Sequence, residues 1–209
     1  MTGQRTFLQN PVFRGILWSV SVVFLKLTGW KVAGERPEPL KYVLIAAPHT
    51  TNWDFPVALA ICFALRINIY WMAKDTLFRP PFGWIMRRLG GIPVDRRKGH
   101  LAAKHVMDAF RNNDRLVVVI PPEGTRSKVT KWKTGFYRIA NDAHVPLVCG
   151  FLDYSKKLGG FGRTIVPTGN MEDDFVVIRD FYINVVAKYP EKTDYTSLSK
   201  PNQTPTERS

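Results

Sequence analysis

Between Arg14 and Lys26 the chain runs for 11 uncharged residues, Gly15 to Leu25. Phe13, Ile16, Leu17, Val20, Val23, Phe24 and Leu27 fall on one face at helical spacing, and Trp18, Val22 and Leu25 widen that face almost all the way round. A helix with so little polar surface must bury itself, either against its own domain or in one leaflet of a bilayer. The run is shorter than the roughly 20 apolar residues a spanning helix needs. No small-x-small cleavage site follows it, because Gly29-Trp30-Lys31 comes next. Arg5, Arg14, Lys26 and Lys31, with Trp18 or Trp30, suit headgroups and the interface. Each such basic group adds about 1 kcal/mol near an anionic surface. Residues 1–33 are therefore expected to be a membrane-contact helix, peripheral or monotopic.

Downstream the pattern changes to short apolar runs separated by turns. Residues 34–39 read as a connector. Tyr42 to Ala47 is continuously apolar and stops at Pro48, as a strand buried on both faces does. Phe55 to Leu65 reads as a helix capped by Asn52 or Asp54, and Asn68 to Ala73 as a strand. After Pro80-Pro81 a helix is expected from Phe82 to Leu89, closed by Gly90-Gly91. Ile92 to Val94 is extended, His100 to Arg111 helical, and Leu116 to Ile120 a strand. Gly135 to Asp142 reads as a helix, and Pro146 to Leu152 and Thr164 to Val166 as strands. Phe175 to Val186 fits helix or strand. Strands alternating with helices imply one α/β domain over residues 34–189, a mostly parallel mixed sheet flanked by helices. Residues 190–209 are polar and read as a mobile tail.

Composition narrows the function classes. Thirty Lys and Arg against 17 Asp and Glu give a net charge of +13 in 209 residues, which favours polyanionic surroundings: nucleic acid, anionic lipid or phosphorylated small molecules. Single-strand nucleic-acid binders interleave exposed aromatics with basic groups, whereas Tyr70-Trp71 and Trp84-Ile85 lie in apolar runs; nucleic acid is not an expected partner. Cys62 and Cys149 also sit in apolar runs and suggest neither a disulfide scaffold nor a metal site.

Three polar clusters follow strand ends, where open α/β sheets place their sites. In His49-Thr50-Thr51-Asn52-Trp53-Asp54 an imidazole, with an ordinary pKa of about 6.5, suits proton abstraction near neutrality. An Asp five residues on can reach back to hold one ring nitrogen and leave the other as base. In Pro122-Glu123-Gly124-Thr125-Arg126-Ser127 the glycine permits close backbone approach, the hydroxyls offer hydrogen bonds, and Arg126 matches phosphate geometry. The third cluster is Gly91-Ile92-Pro93-Val94-Asp95-Arg96, with Lys74 before it.

In this order and spacing the clusters resemble the PlsC-type lysophosphatidic acid acyltransferases, which carry H-x-x-x-x-D, G-x-I-x-x-D-R and F-P-E-G-T-R-S blocks and a Val-Pro-Leu-Val run. The matching positions are His49 to Asp54, Gly91 to Arg96, Pro121 to Ser127 and Val145 to Val148. Pro121 stands where the family has Phe, and Cys149-Gly150 where it commonly has Pro. The resemblance implies acyl transfer from acyl-CoA or acyl carrier protein to a lysophosphatidic-acid-like hydroxyl, without a cofactor, at the cytoplasmic face of an anionic membrane. His49 would be the base and Asp54 its orienting partner. Lys74, Arg126 and Arg96 would grip the acceptor phosphate, Gly124 and Thr125 would shape its cradle, and Glu123 would position the acceptor or brace Arg126. Phe78, Phe82, Trp84 and Ile85 would wall the acyl chain. Competing readings are a different lipid acceptor, a transacylase, or a non-catalytic membrane-surface protein.

Overall fold

A computed structural model describes residues 6–94 and 99–195. The first long element is α1 (Pro11–Thr28). Proline opens it without wasting an N–H, and the Asn10 side chain accepts from the Val12 and Phe13 amides. Gly29 closes it at φ 77°, a left-handed conformation open to glycine. The helix turns Leu17, Ser21, Phe24 and Leu25 inward and packs on α2 (Asp54–Ala64). The rest of its apolar face stays outside: Phe13, Ile16, Val20, Val23 and Leu27 form one exposed stripe.

Seven strands make one sheet: β1 (Lys31–Ala33), β2 (Lys41–Ala46), β3 (Ile69–Lys74), β4 (Gly91–Val94), β5 (Leu116–Ile120), β6 (Leu147–Asp153) and β7 (Leu158–Ile165). Their spatial order is β1-β7-β6-β2-β5-β3-β4. The five strands from β6 to β4 run parallel, while β7 returns antiparallel to β6 and carries β1 parallel to itself at the edge. The remaining helices are α3 (Gly83–Arg88), α4 (Gly99–Arg111), α5 (Gly135–Asp142) and α6 (Met171–Tyr182).

The continuous apolar runs are explained by burial on both sheet faces. Tyr42, Leu44, Val117 and Val148 join the core under α1 and α2. Their neighbours Val43, Ile45, Val118 and Leu147 join the core that packs with Phe110 of α4, Phe136 of α5 and Ile178 of α6. Because the five strands are parallel, the ends of β2, β3 and β5 share one edge. Strand β2 leads into the His49 cluster, β5 into the Glu123 cluster, and β3 ends on Lys74.

The sheet differs from expectation at its glycine-rich edge. Lys31–Ala33, expected to belong with the N-terminal helix, form β1. Strand β7 starts six residues before the expected Thr164, because the Leu158-Gly-Gly-Phe-Gly stretch is extended strand and not loop. A side chain at Gly160 would meet the Ala33 carbonyl, and one at Gly162 would meet the Phe181 ring. The ambiguous segment is helix α6, whose start at Asn170 caps the Glu172 and Asp173 amides. Neither Asn52 nor Asp54 caps α2; the residue before the helix, Trp53, makes no capping bond. Of the expected tail, 190–192 form a 3-10 turn and Tyr195 packs on the core; residues 196–209 lie outside the described range.

Candidate active site

Strand β2 ends at Ala46, and Ala47-Pro48 delivers His49 to the carboxyl edge of the sheet. The chain then turns through Thr50 to Trp53, and α2 starts on Asp54. Asp54 points back into its own turn. Its Oδ2 accepts from the Thr50 amide at 2.8 Å and the Thr51 amide at 2.9 Å, and lies 3.1 Å from His49 Nδ1. Its Oδ1 accepts the Tyr154 hydroxyl at 2.7 Å. The carboxylate is thus immobilised by charge-assisted bonds. The Asp54 side chain is 7% exposed and that of His49 22%, so the carboxylate is enclosed while the ring remains reachable. A proton on Nδ1 satisfies Asp54 and leaves Nε2 as the free lone pair.

The second cluster meets the first through Glu123, whose Oε1 accepts the His49 backbone N–H at 3.2 Å. Its buried Oε2 has no hydrogen-bond partner among the described residues. Burial pushes the Glu123 carboxyl up to about 7; the backbone N–H bonds, including that from His49, oppose the rise. Gly124 follows at φ 63°. A Cβ there would lie 2.8 Å from Lys133 Nζ, so the Lys133 ammonium lies over the turn. The Lys133 amide donates to the Pro122 carbonyl at 2.9 Å, tying the two segments together. Thr125 and Arg126 are exposed, and Lys74 is exposed as the last residue of β3 on the same edge. The structure joins His49, Asp54 and Glu123 directly; Lys74, Thr125 and Arg126 make no hydrogen bond to them among the described residues. Arg96 lies outside the described residues.

Sequence reasoning missed four contributors. Tyr154, just past the end of β6, is held at 88° to Trp30 with ring centroids 4.9 Å apart. Tyr189 donates its amide to Thr50 Oγ1 at 3.4 Å, and the Lys188 ammonium lies 5.8 Å from the Trp53 ring centroid, so the segment after α6 borders the His49–Asp54 turn. Lys133 is the fourth. For Tyr154 a signal existed: it follows a predicted strand, as the three clusters do. For the others none did.

A cavity of about 70 Å³ lies under α2, lined by Leu44, Pro48, Ile61, Cys62, Leu152 and Phe161 among others. Its walls are almost wholly apolar and reach the residue before His49. None of the residues expected to wall an acyl chain lines this cavity: Phe78 is buried in the core, Ile85 is half-buried, and Phe82 and Trp84 are 65% and 61% exposed. Among the described residues no group of three His, Cys, Asp or Glu is placed to hold a metal ion. The site offers an imidazole held by a buried carboxylate, a second carboxyl with a buried oxygen, a cationic glycine turn and an apolar recess. Those parts suit deprotonation of a hydroxyl on an anionic, partly apolar molecule.

A family model described as Acyltransferase matches residues 29–167. A 1-acyl-sn-glycerol-3-phosphate acyltransferase of Streptococcus pneumoniae (strain ATCC BAA-255 / R6) is 31% identical over 91 residues, which cover 43% of this chain. The match spans about a third of that relative, 34% of its length. The crystal structure of the 1-acyl-sn-glycerophosphate (LPA) acyltransferase PlsC from Thermotoga maritima aligns over 83% of this chain and 77% of its own. The TM-score is 0.56 at 16% identity, a shared fold.

Proposed function

This chain belongs to the acyltransferase family, and from that premise we propose that it moves a fatty acyl group from a thioester donor, acyl-CoA or acyl carrier protein, to the hydroxyl of a lysophosphatidic-acid-like glycerolipid. The observation that carries the reading is His49 Nδ1 at 3.1 Å from Asp54 Oδ2, beside Glu123 and its glycine turn. Nε2 of His49 takes the acceptor's hydroxyl proton as the oxygen attacks the thioester carbonyl. Asp54 keeps the ring oriented and stabilises the imidazolium. As the tetrahedral adduct collapses, the C–S bond breaks, the thiolate leaves, and the imidazolium returns the proton to give a free thiol. A good leaving group makes a dedicated acid unnecessary.

Arg126 and Lys74, with Arg96, bind the acceptor phosphate, and Lys133 adds a further cation at the Gly124-Thr125 cradle. Glu123 braces the site, tying the Gly124 turn to the His49 backbone. The recess under α2 takes the first carbons of an acyl chain, having room for a handful of water-sized groups. The exposed α1 stripe seats the enzyme on the cytoplasmic face of an anionic membrane, where both lipids reside.

The test is release of free thiol from acyl-CoA with a panel of lysolipids. Wild-type protein turns over with lysophosphatidic acid, and His49→Ala loses at least about a thousand-fold in rate, within the usual range for a general base. Undiminished turnover in the variant, or preference for an acceptor lacking the phosphate, would overturn this assignment.

A further inference from the structure

The segment between β3 and β4 is held from inside and apolar outside. Phe78 is buried, stacked on Trp71 with ring centroids 5.9 Å apart and covered by the Arg87 guanidinium at 5.3 Å. That anchor fixes the backbone that presents Leu77, Phe82 and Trp84 to solvent, exposed at 47%, 65% and 61%. Three large apolar side chains on one short surface segment form an exposed apolar patch.

This patch is continuous with the α1 stripe. The Phe7 ring meets Trp84 at 6.3 Å and 81°, and meets Phe13 at 5.0 Å. Phe13 is the first residue of the exposed α1 stripe. Arg88 lines the groove between the two elements. Within residues 74–89 stand Lys74, Arg79, Arg87 and Arg88 against Asp75 alone, which lies 3.8 Å from Arg79. An apolar ridge with a cationic border matches the boundary between acyl chains and anionic headgroups.

We propose that Leu77, Phe82 and Trp84 form a second membrane-contact element that inserts, together with the α1 stripe, into one leaflet containing anionic lipid. The inference rests on the membrane reading of α1 and adds to it. With two contacts a single helix no longer sets the orientation. The second contact directly follows Lys74 at the carboxyl end of β3, so inserting it brings that edge, where His49 and Glu123 also lie, towards the lipid surface.

Cys62 and Cys149 are the only cysteines and both are buried, so one exposed thiol can be labelled selectively. Phe82→Cys, Leu27→Cys and Val176→Cys each receive an environment-sensitive fluorophore; Val176 lies on α6, which packs on the opposite face of the sheet. Vesicles of phosphatidylcholine with phosphatidylglycerol are then added, with pure phosphatidylcholine as comparison. The expected result is a blue shift at positions 82 and 27, absent at 176 and weaker on neutral vesicles. In the unlabelled protein, Phe82→Ser and Trp84→Ser each lower vesicle partitioning by about ten-fold, as loss of a buried aromatic should. A shift at 27 but none at 82 overturns this inference and leaves the α1 reading standing. No shift at either position sinks both. A shift at 82 that appears without vesicles and grows with protein concentration assigns the patch to self-association, and a shift at all three positions means unspecific adsorption; either result defeats the proposal.

Discussion

Asp54 shows how much a single carboxylate is asked to do. Two backbone amides, an imidazole and a tyrosine hydroxyl converge on it, so its position does not depend on any one of them. In Tyr154→Phe the amides still hold Oδ2, and the dyad survives with Oδ1 released. The lost hydrogen bond costs about 1 kcal/mol of stability. We expect kcat to fall about ten-fold, the effect of a barrier higher by some 1.4 kcal/mol, with both KM values little changed because the hydroxyl ends on Asp54. An unchanged kcat with raised KM would assign Tyr154 to substrate contact. Glu123 makes a different prediction. Its carboxyl sits at about 7 against an ordinary 4.5 because it is buried. The folded state therefore holds a proton that the unfolded chain releases, and the stability from this group is full below about pH 4.5 and lost as pH rises through about 7. Glu123→Gln should flatten that dependence, by on the order of 2–3 kcal/mol. Urea unfolding at about pH 5 and about pH 8 measures it; parallel losses in both proteins would mean the carboxyl is solvated.

Among the elements, α1 has one face packed on the domain and one apolar face exposed. Leu25 and Ser21 are buried against the domain, whereas Val20 and Leu27 are 60% and 82% exposed. Deleting the whole helix would therefore uncover the α2 core as well as remove the proposed anchor. Substituting only the outer stripe separates the two. Ile16→Ser, Val20→Ser and Val23→Ser together should move the protein from membrane pellet to supernatant, with far-UV circular dichroism unchanged, since surface substitutions of this kind alter stability little. If the triple variant still pellets with membranes, α1 is not the anchor. The same two-faced character explains why the periodicity of this helix was legible but its partner was not: Leu17 and Phe24 share the apolar arc with Ile16 and Val20, and only α2 distinguishes them. At β7 the signal was weak for another reason. Three glycines in five residues resemble a loop in sequence, yet Ile61 and Leu152 at Gly159, Ala33 at Gly160 and Phe181 at Gly162 approach too closely for a side chain. Close approach is a pairwise property and leaves no periodicity.

Across the whole molecule, the parallel arrangement of β6, β2, β5, β3 and β4 turns scattered motifs into a site. His49 and Glu123 are 74 residues apart and share a hydrogen bond because β2 and β5 are in register from Lys41–Leu116 to Ile45–Ile120. The local content of that site was readable in the chain: a strand, then His-x-x-x-x-Asp, in which both partners sit in one turn, and a second strand, then Glu-Gly-Thr-Arg. Short-range spacing and two-sided apolar runs are enough to specify such units, since turn geometry and burial act within a few residues. Contacts across long separations were not readable. Tyr154 reaches Asp54 from 100 residues away, Lys133 crosses the Gly124 turn, and Phe82 and Trp84, which pass in sequence for lining of an apolar pocket, face outward beside α1. Those outcomes depend on which strands become neighbours and which face of a helix meets a partner, and that is settled when the chain packs.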